Sequence, residues 1–404
     1  MDYKSLLAQV QKTLASIETT DDLGATVAQL AETVARDFRE IGITGGRLYE
    51  CRDDEYVLVH SFGESGTAEL GLAVPADYRP IELTVENGAV VMDPDDPGID
   101  PVFEEKIGAK RFAAIAVGDE DWILSFSVPD ELAKDDILFS LNLVRYAINQ
   151  KLRTERLETI LDEASRIQLS ILPHRVPQYR GYDIFGRTIP ADVVNGDFYD
   201  FIPVSDSILG LAIADASGHG LTAALVVRDI YVGLRMGVDR DFKIIRTVQK
   251  LNQILHRSRL TTKFVSLFYG ELEENGTFIY TNAGHNPPFV LKDERVEFLR
   301  HGGRILGPTP DATYNRGYIA VEPGDILCLY TDGIVEAHDG EGEEFGLNRL
   351  IALVREHGPR PAQEIVGEVL AAVSAWAADE SEDDKTVVIV KAVWRDGATR
   401  RTAT

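Results

Sequence analysis

The residues with the most evident chemical potential are aspartates, and they recur in one setting. An apolar, strand-like run meets an aspartate beside a glycine or other small residue in "VVNGD" (Asp197), "LGLAIADASGHG" (Asp215), "DILCLYTDG" (Asp332) and "DESEDDKTVVIV" (Asp383, Asp384). A single Asp-Gly after a strand makes a turn. Four such sites carry more meaning, because the runs before Asp215 and Asp332 are apolar throughout, as strands buried on both faces are. Central strands ending together place several carboxylates at one edge, where they repel one another unless cations lie between them. Hard oxygen donors, with no cysteine cluster and no His-Glu pair at ligand spacing, select Mg²⁺ or Mn²⁺ over zinc. Two such ions about 3.5–4 Å apart, bridged by a carboxylate and a water, acidify that water and aim it in line at phosphorus. Phosphate-ester hydrolysis is the chemistry expected. Asp200 follows Asp197 in "VNGDFYDF" but gains no metal role from the pattern; support of a turn or a hydrogen bond is its reading.

The elements that must position these acids lie beyond Pro173, where the chain turns β-rich. "YDIFGRTI", "FYDFI", "ILGLAIAD", "KFVSLFYGELE", "TFIYTNAG", "PFVLKD", "DILCLYTDG" and "KTVVIVKAVW" read as strands; "HGLTAALVVRDIYVGLRM", "FKIIRTVQKLNQILHR", "LNRLIALVREH" and "AQEIVGEVLAAVSAWAA" read as helices. Sheets packed face to face with helix pairs outside are the expected arrangement. Ahead of them, about Phe139 to Leu172 lacks turn residues and carries a narrow apolar seam at Leu157, Leu161, Ala164, Gln168 and Ile171. Such a seam suits a partner helix in a coiled-coil-like dimer; the alternative is a helix lying on its own domain. The first segment opens with the helical pattern Leu23, Val27, Leu30, Val34, Phe38 behind a cap at Asp21 or Asp22. Strand-like "GGRLYEC", "EYVLVHSFG", "RFAAIAV" and "DWILSFSV" follow, and a second helix closes an α+β module.

Composition bounds the partners. The 404 residues carry a formal net charge of -25, a field that repels phosphate backbones and anionic membranes. Nucleic acid and membrane are therefore not expected partners, and a nuclease built on the same carboxylates conflicts with that charge. The basic stretch "WRDGATRRTAT" reads as a frayed tail. Two cysteines, Cys51 and Cys328, exclude a disulfide framework and suit a reducing cytoplasm. No apolar run is long enough to span a membrane, and the amphipathic "MDYKSLLAQVQKTL" lacks a signal-peptide core.

The stretch "ASRIQLSILPHRVPQYRGYDIFGRTIPADVVNGDFYDF", followed by "LAIADASGHGLTAALV", "FIYTNAGHNPPFVL", "GGRILG", "LCLYTDGIVEAHDGEGEEFGLNRL" and "DDKTVVIV", resembles the SpoIIE/RsbU-type branch of the metal-dependent (PPM) serine/threonine protein phosphatases. Six ordered blocks from Ala164 to Val393 carry the resemblance. It implies that Asp215 bridges two Mn²⁺ or Mg²⁺ ions, that the Ala216 carbonyl ligates one of them, that Asp332 and Asp383 complete the second, and that Asp197 reaches the first through water. It also implies a phosphorylated anti-anti-sigma (STAS-domain) protein as substrate, in a partner-switching pathway; a phosphatase-like adaptor without turnover is the alternative. Asn195 stands where the family mostly has glycine, and asparagine tolerates left-handed dihedrals. Eukaryotic members place a histidine where this chain has Ser217; His219 reads either as a proton donor to the leaving oxygen or as a helix-start residue. His285 reads as ordering the turn before Pro287. The first segment is similar to a GAF domain in length and element order, and Cys51 within it reads as a buried structural cysteine, the alternative being a chromophore or redox attachment site. The expected fold is α+β: a GAF-like α/β sensor and dimerisation domain over 1–148, a helical linker over 149–173, a PPM-type αββα sandwich over 174–395, and a tail over 396–404.

Overall fold

The structure, a computed structural model, describes residues 23–37, 43, 45–63, 69–107, 111–218, 220–239, 243–258, 264–293, 295–378 and 383–393. The cap at Asp21 or Asp22, Phe38, His219, the amphipathic first residues and the basic tail lie outside them. The chain forms two compact units that divide between Thr159 and Ile160. Among the described residues no helix is long and apolar enough to cross a membrane.

The first unit is built on one antiparallel sheet. Its elements are α1 (Leu23–Asp37), β1 (Gly45–Arg52), β2 (Glu55–Gly63), β3 (Ala73–Pro75), α2 (Arg79–Asn87), β4 (Ala89–Met92), α3 (Pro101–Ile107), β5 (Phe112–Val117) and β6 (Trp122–Ser127), with the start of the long α4 (Lys134–Leu169). The strand order is β3-β2-β1-β6-β5-β4. Val27, Leu30, Ala31 and Val34 of α1 and Ile137, Leu141, Val144 and Ile148 of α4 pack with Ala113, Ile115 and Val117 on one face. The alternate residues Phe112 and Ala114 meet Ile81 and partly buried Phe103 on the other. The wholly apolar β5 thus serves two cores, as its sequence requires. α2 and α3, absent from the sequence reading, carry a usable signal: Pro80 stands in the first turn of α2 and Gly88 caps it at φ 79°, the expected order of proline and glycine about a helix. Cys51 is exposed, not buried: beyond Tyr49 the end of β1 leaves the core for a surface hairpin, correcting the expectation.

α4 is one uninterrupted helix, so no boundary marks the 148/149 position in its backbone. The expected seam divides along it. Leu157 and Leu161 are exposed, whereas Gln168 is buried against Asn195 and Ile171 packs into the core of the second unit.

The second unit is a four-layer sandwich. It comprises β7 (Tyr182–Ile189), β8 (Asp197–Ser205), β9 (Ile208–Ala216), α5 (Leu221–Asp239), α6 (Ile244–Arg257), β10 (Val265–Glu273), β11 (Thr277–Ala283), β12 (Phe289–Lys292), β13 (Arg295–Phe298), β14 (Gly302–Gly303), β15 (Gly317–Ala320), β16 (Ile326–Tyr330), α7 (Asp332–Val335), α8 (Leu347–Glu356), α9 (Ala362–Trp376) and β17 (Lys385–Ala392). One sheet runs β14-β11-β10-β9-β8, with β15 also on β11; the other runs β13-β12-β16-β17-β7. Strand alternation distributes the cores. Tyr199, Leu211, Ile213 and Phe268 of the first sheet meet Leu327, Leu329, Val388 and Val390 of the second in the middle layer. Their neighbours in sequence face outward: Ala212, Ala214 and Leu267 toward α5 and α6, Cys328, Val387 and Ile389 toward α8 and α9. The expected αββα arrangement is present, with β13, β14, β15 and α7 as additions too short to show a period.

Candidate metal centre

The parity that builds the middle layer also builds the site. On β8 and β9, residues with the parity of Tyr199, Leu211 and Ile213 point between the sheets, and continuing that count reaches Asp197 and Asp215, which are register partners. In the second sheet the parity of Leu327 and Leu329 leads to Thr331, and that of Val388 and Val390 leads back to Thr386 and Asp384. Where the apolar layer stops, both sheets therefore contribute polar side chains to one edge. Asp197 opens its strand instead of ending one, a correction to the reading of "VVNGD". Asp332 lies just past its strand, as the first residue of the single-turn α7.

Burial and like charge dominate the electrostatics. Burial pushes Asp215 up to about 7, aided by the charges of Asp332, Asp383, Asp384 and Glu336. Burial raises Asp332 to about 6, with Asp383 and Glu336 adding and a hydrogen bond from Gly333 N opposing. The charges that bear on Asp215 are all negative. Asp197, fully enclosed, is raised by burial first and then by Asp215, against the hydroxyls of Thr386 and Thr331. Asp383 is exposed at the rim. Glu336, missed by sequence reading, lies four residues after Asp332, one helical turn away.

These residues fit divalent cations by chemistry. The donors are hard oxygens without a compensating lysine or arginine among the charges on Asp215. Gly196 keeps the space beside the Ala216 carbonyl clear: a Cβ there would stand 3.1 Å from Ala216 O, 3.2 Å from Gly218 O and 3.5 Å from Asp384 Oδ2. At Gly333 a Cβ would stand 2.1 Å from the Asp384 carbonyl oxygen, so glycine is what lets α7 approach the 383–384 segment. Among the described residues no three His, Cys, Asp or Glu side chains already enclose an ion as they stand; the fit lies in the donor set and its unbalanced charge.

The structure gives the residues around the acids their partners, among them Thr188 and Arg235, which carried no signal in the sequence. Asn195 Oδ1 accepts Asp197 N at 2.6 Å and its Nδ2 donates to Thr188 Oγ1 at 2.9 Å. Neither Asn195 nor Gly196 has a positive φ, so asparagine serves here through its side chain and not through tolerance of left-handed backbone. Gln168 brackets the same residue, accepting Asn195 N at 2.8 Å and donating to Asn195 O. Asp200 is buried and receives Arg235 Nε at 3.2 Å and Arg235 Nη2 at 2.9 Å, tying β8 to α5; this is the hydrogen-bonding support expected of it. Ser217 Oγ accepts Phe264 N at 3.0 Å. His285 is buried and held near pH 4 by that burial, hence neutral; Asn282 Oδ1 accepts its N–H at 2.7 Å and Ser266 Oγ lies 2.7 Å from its Nδ1, in keeping with the turn-ordering role.

The fold is that of PP2C phosphatase domains, and the family match and the relatives below place the chain among PPM-type protein serine/threonine phosphatases. Residues 205–393 match the family described as Stage II sporulation protein E (SpoIIE). The chain is 28% identical over 253 residues to "Phosphoserine phosphatase RsbU" of Bacillus subtilis, covering 61% of this chain and 74% of that protein. It is 28% identical over 278 residues to "Protein IcfG" of Synechocystis sp., covering 60% of this chain and 44% of that protein. The SiaA-PP2C domain of Pseudomonas aeruginosa shares the fold at a TM-score of 0.53 and 22% identity, covering 59% of this chain and 98% of that one.

Proposed function

We propose that the chain removes phosphate from phosphoserine or phosphothreonine in a protein, with Asp215, Asp332, Asp383 and the Ala216 carbonyl holding two Mn²⁺ or Mg²⁺ ions and Asp197 supporting the first of them. The observation that carries this reading is the charge on Asp215: buried, and faced by Asp332, Asp383, Asp384 and Glu336 without a cation. When bound, the ions supply the positive charge and the acidified water that phosphate-ester hydrolysis needs. The chain's own residues hold the donors in place: Asn195 fixes the main chain at Asp197, Gly196 leaves room beside the Ala216 carbonyl, and Gly333 lets Asp332 approach Asp383.

The substrate in this reading is a phosphorylated STAS-domain anti-anti-sigma protein in a partner-switching pathway. Its support is the similarity to a protein named a phosphoserine phosphatase and the six sequence blocks. Residues 1–148 act as the GAF-like regulatory and dimerisation module, and 149–173, most of them in α4, form the linker ahead of the catalytic region at 174–395. A cytoplasmic setting belongs to the same reading, both cysteines being free.

The test is hydrolysis of a chromogenic aryl phosphate and of a phosphorylated STAS protein, each with and without Mn²⁺. Activity should require the ion and fall by more than about a hundredfold in Asp215→Asn or Asp332→Asn, beyond the range for residues that merely support a ligand. Activity that survives either substitution would remove the assignment.

A further inference from the structure

Between the sheets, behind the acids, lies a hydrogen-bond system that the expected metal ligands do not explain. Asp197, on the first sheet, receives Thr331 Oγ1 at 2.7 Å and Thr386 Oγ1 at 2.5 Å, both from the second sheet and both on Oδ2. Each hydroxyl has one proton, and giving it to the carboxylate sets the direction of every bond behind it. Thr386 Oγ1 lies 2.8 Å from Thr188 Oγ1 and so accepts from it; Thr188 Oγ1 in turn accepts Asn195 Nδ2. Thr331 Oγ1 accepts Thr386 N at 3.0 Å. Two chains of donors thus converge on one oxygen of a buried aspartate.

Asp384 makes a second tie in the opposite sense. At the head of β17 in the second sheet, its Oδ1 accepts Ala191 N at 2.8 Å and its Oδ2 accepts Gly196 N at 2.6 Å. Gly196 directly precedes Asp197. Ala191 follows β7, the neighbour of β17 in its own sheet, so the bond from Gly196 N is the one that crosses the gap, and a carboxylate from each sheet is held by a donor from the other.

The proposed metal ligands divide across the same gap. Asp215 rides on β9, next to β8, whereas Asp332 follows β16 and Asp383 precedes β17. Repulsion between them acts to part the sheets at this edge, and the separation of the sheets there sets the distance between the two halves of the ligand set. We propose that Thr331, Thr386 and Asp384 are positioning residues that fix the inter-sheet spacing at the metal centre, so that the two halves meet the ions preformed. Shape alone does not call for threonine: valine suits a strand and a buried site equally well, and only the hydroxyl makes the tie.

The inference rests on the metal-site reading above, and the experiment separates the two. Mn²⁺ binding to the full chain is measured by titration calorimetry for wild type, Thr386→Val, Thr386→Ser and Asp384→Asn, alongside the metal-free melting temperature and kcat and KM on an aryl phosphate. Thr386→Val is expected to weaken Mn²⁺ about 10–100-fold, the range for residues that orient metal ligands, while Thr386→Ser, which keeps the hydroxyl, stays within about threefold of wild type. Asp384→Asn should weaken Mn²⁺ as Thr386→Val does, since one of its two acceptors is lost. Should Thr386→Val not fold, Thr331→Val, whose hydroxyl serves the same oxygen, is read by the same titration. Variants that melt lower but bind Mn²⁺ like wild type would overturn the proposal, as would a serine variant as impaired as the valine one. A wild-type chain that binds no Mn²⁺ would instead overturn the metal-site reading itself.

Discussion

Asp197 and Asp215 stand directly opposite each other in the antiparallel pair β8–β9, two carboxylates on one face of a sheet with Ser266 as the next register partner beyond Asp215. Like charges placed so are destabilising, and a fold that keeps them has a use for the negative field. In the metal-free chain these charges oppose folding.

The first expectation concerns pH. Asp215 at about 7 and Asp332 at about 6 stay protonated in the folded chain at pH values where an unfolded aspartate, near 3.9, has released its proton. The folded state then binds more protons at these two groups, so they cost the metal-free chain stability as pH rises from about 4 through about 7. Melting in chelator should fall across that window, and the fall should be shallower in Asp215→Asn. With Mn²⁺ present the trend opposes it, because binding needs the deprotonated carboxylates. Equal slopes for wild type and Asp215→Asn would refute the electrostatic account.

A second expectation separates Asp200 from its partner. Its side chain is 2% exposed whereas that of Arg235 is 42% exposed. Arg235→Ala strands a buried carboxylate and should cost about 1–3 kcal/mol in urea unfolding. Asp200→Asn leaves a guanidinium that water can reach, so it should cost roughly half as much or less. The reverse order would show that the pair matters for some other reason.

Gly333→Ala is expected to harm both stability and metal binding. The added methyl meets the Asp384 carbonyl oxygen at 2.1 Å, and relief requires α7 to move away from the 383–384 segment. A cost of about 1–3 kcal/mol, together with weakened Mn²⁺ binding in calorimetry, is the outcome anticipated; a neutral substitution would mean that this contact yields freely.

The dimer reading is open to sedimentation of the full chain. Leu157 is 61% exposed and Ile160 49%, as the dimer reading expects of side chains that would meet a partner helix. Replacing both with lysine should shift a dimer to monomer while leaving hydrolysis of a small aryl phosphate in place. A wild-type chain that is monomeric at high concentration would remove the premise.

Much of the architecture was legible because it is local. A strand that is apolar throughout, such as β9 or β16, announces burial on both faces, and an aspartate beside glycine at its end marks an edge; neither needs knowledge of the rest of the chain. Hence facing sheets with helices outside, and the aspartates Asp215, Asp332, Asp383 and Asp384, stood out from the pattern, whereas the choice of Asp383 over Asp384 came from the family resemblance. Elements of two to four residues, such as β14 and α7, left no period to detect, and α2 and α3 were passed over although Pro80 and Gly88 framed the first of them.

What tertiary structure decided is which sheet each polar side chain answers to. Thr188, Thr331, Thr386 and Arg235 are unremarkable in sequence, since their types recur in any strand or helix. Their meaning arises only when β8 and β17 face each other and one pleat parity in both sheets runs out at the same edge. Asp200 and Asp197 illustrate the difference within "VNGDFYDF". The sequence determined that two carboxylates lie three residues apart on a strand, and alternation sent them to opposite faces. Only the packed layers determined that one meets an arginine from α5 and the other meets hydroxyls from the opposing sheet, because a side chain's partner across a core is set by how the layers stack and not by its neighbours along the chain.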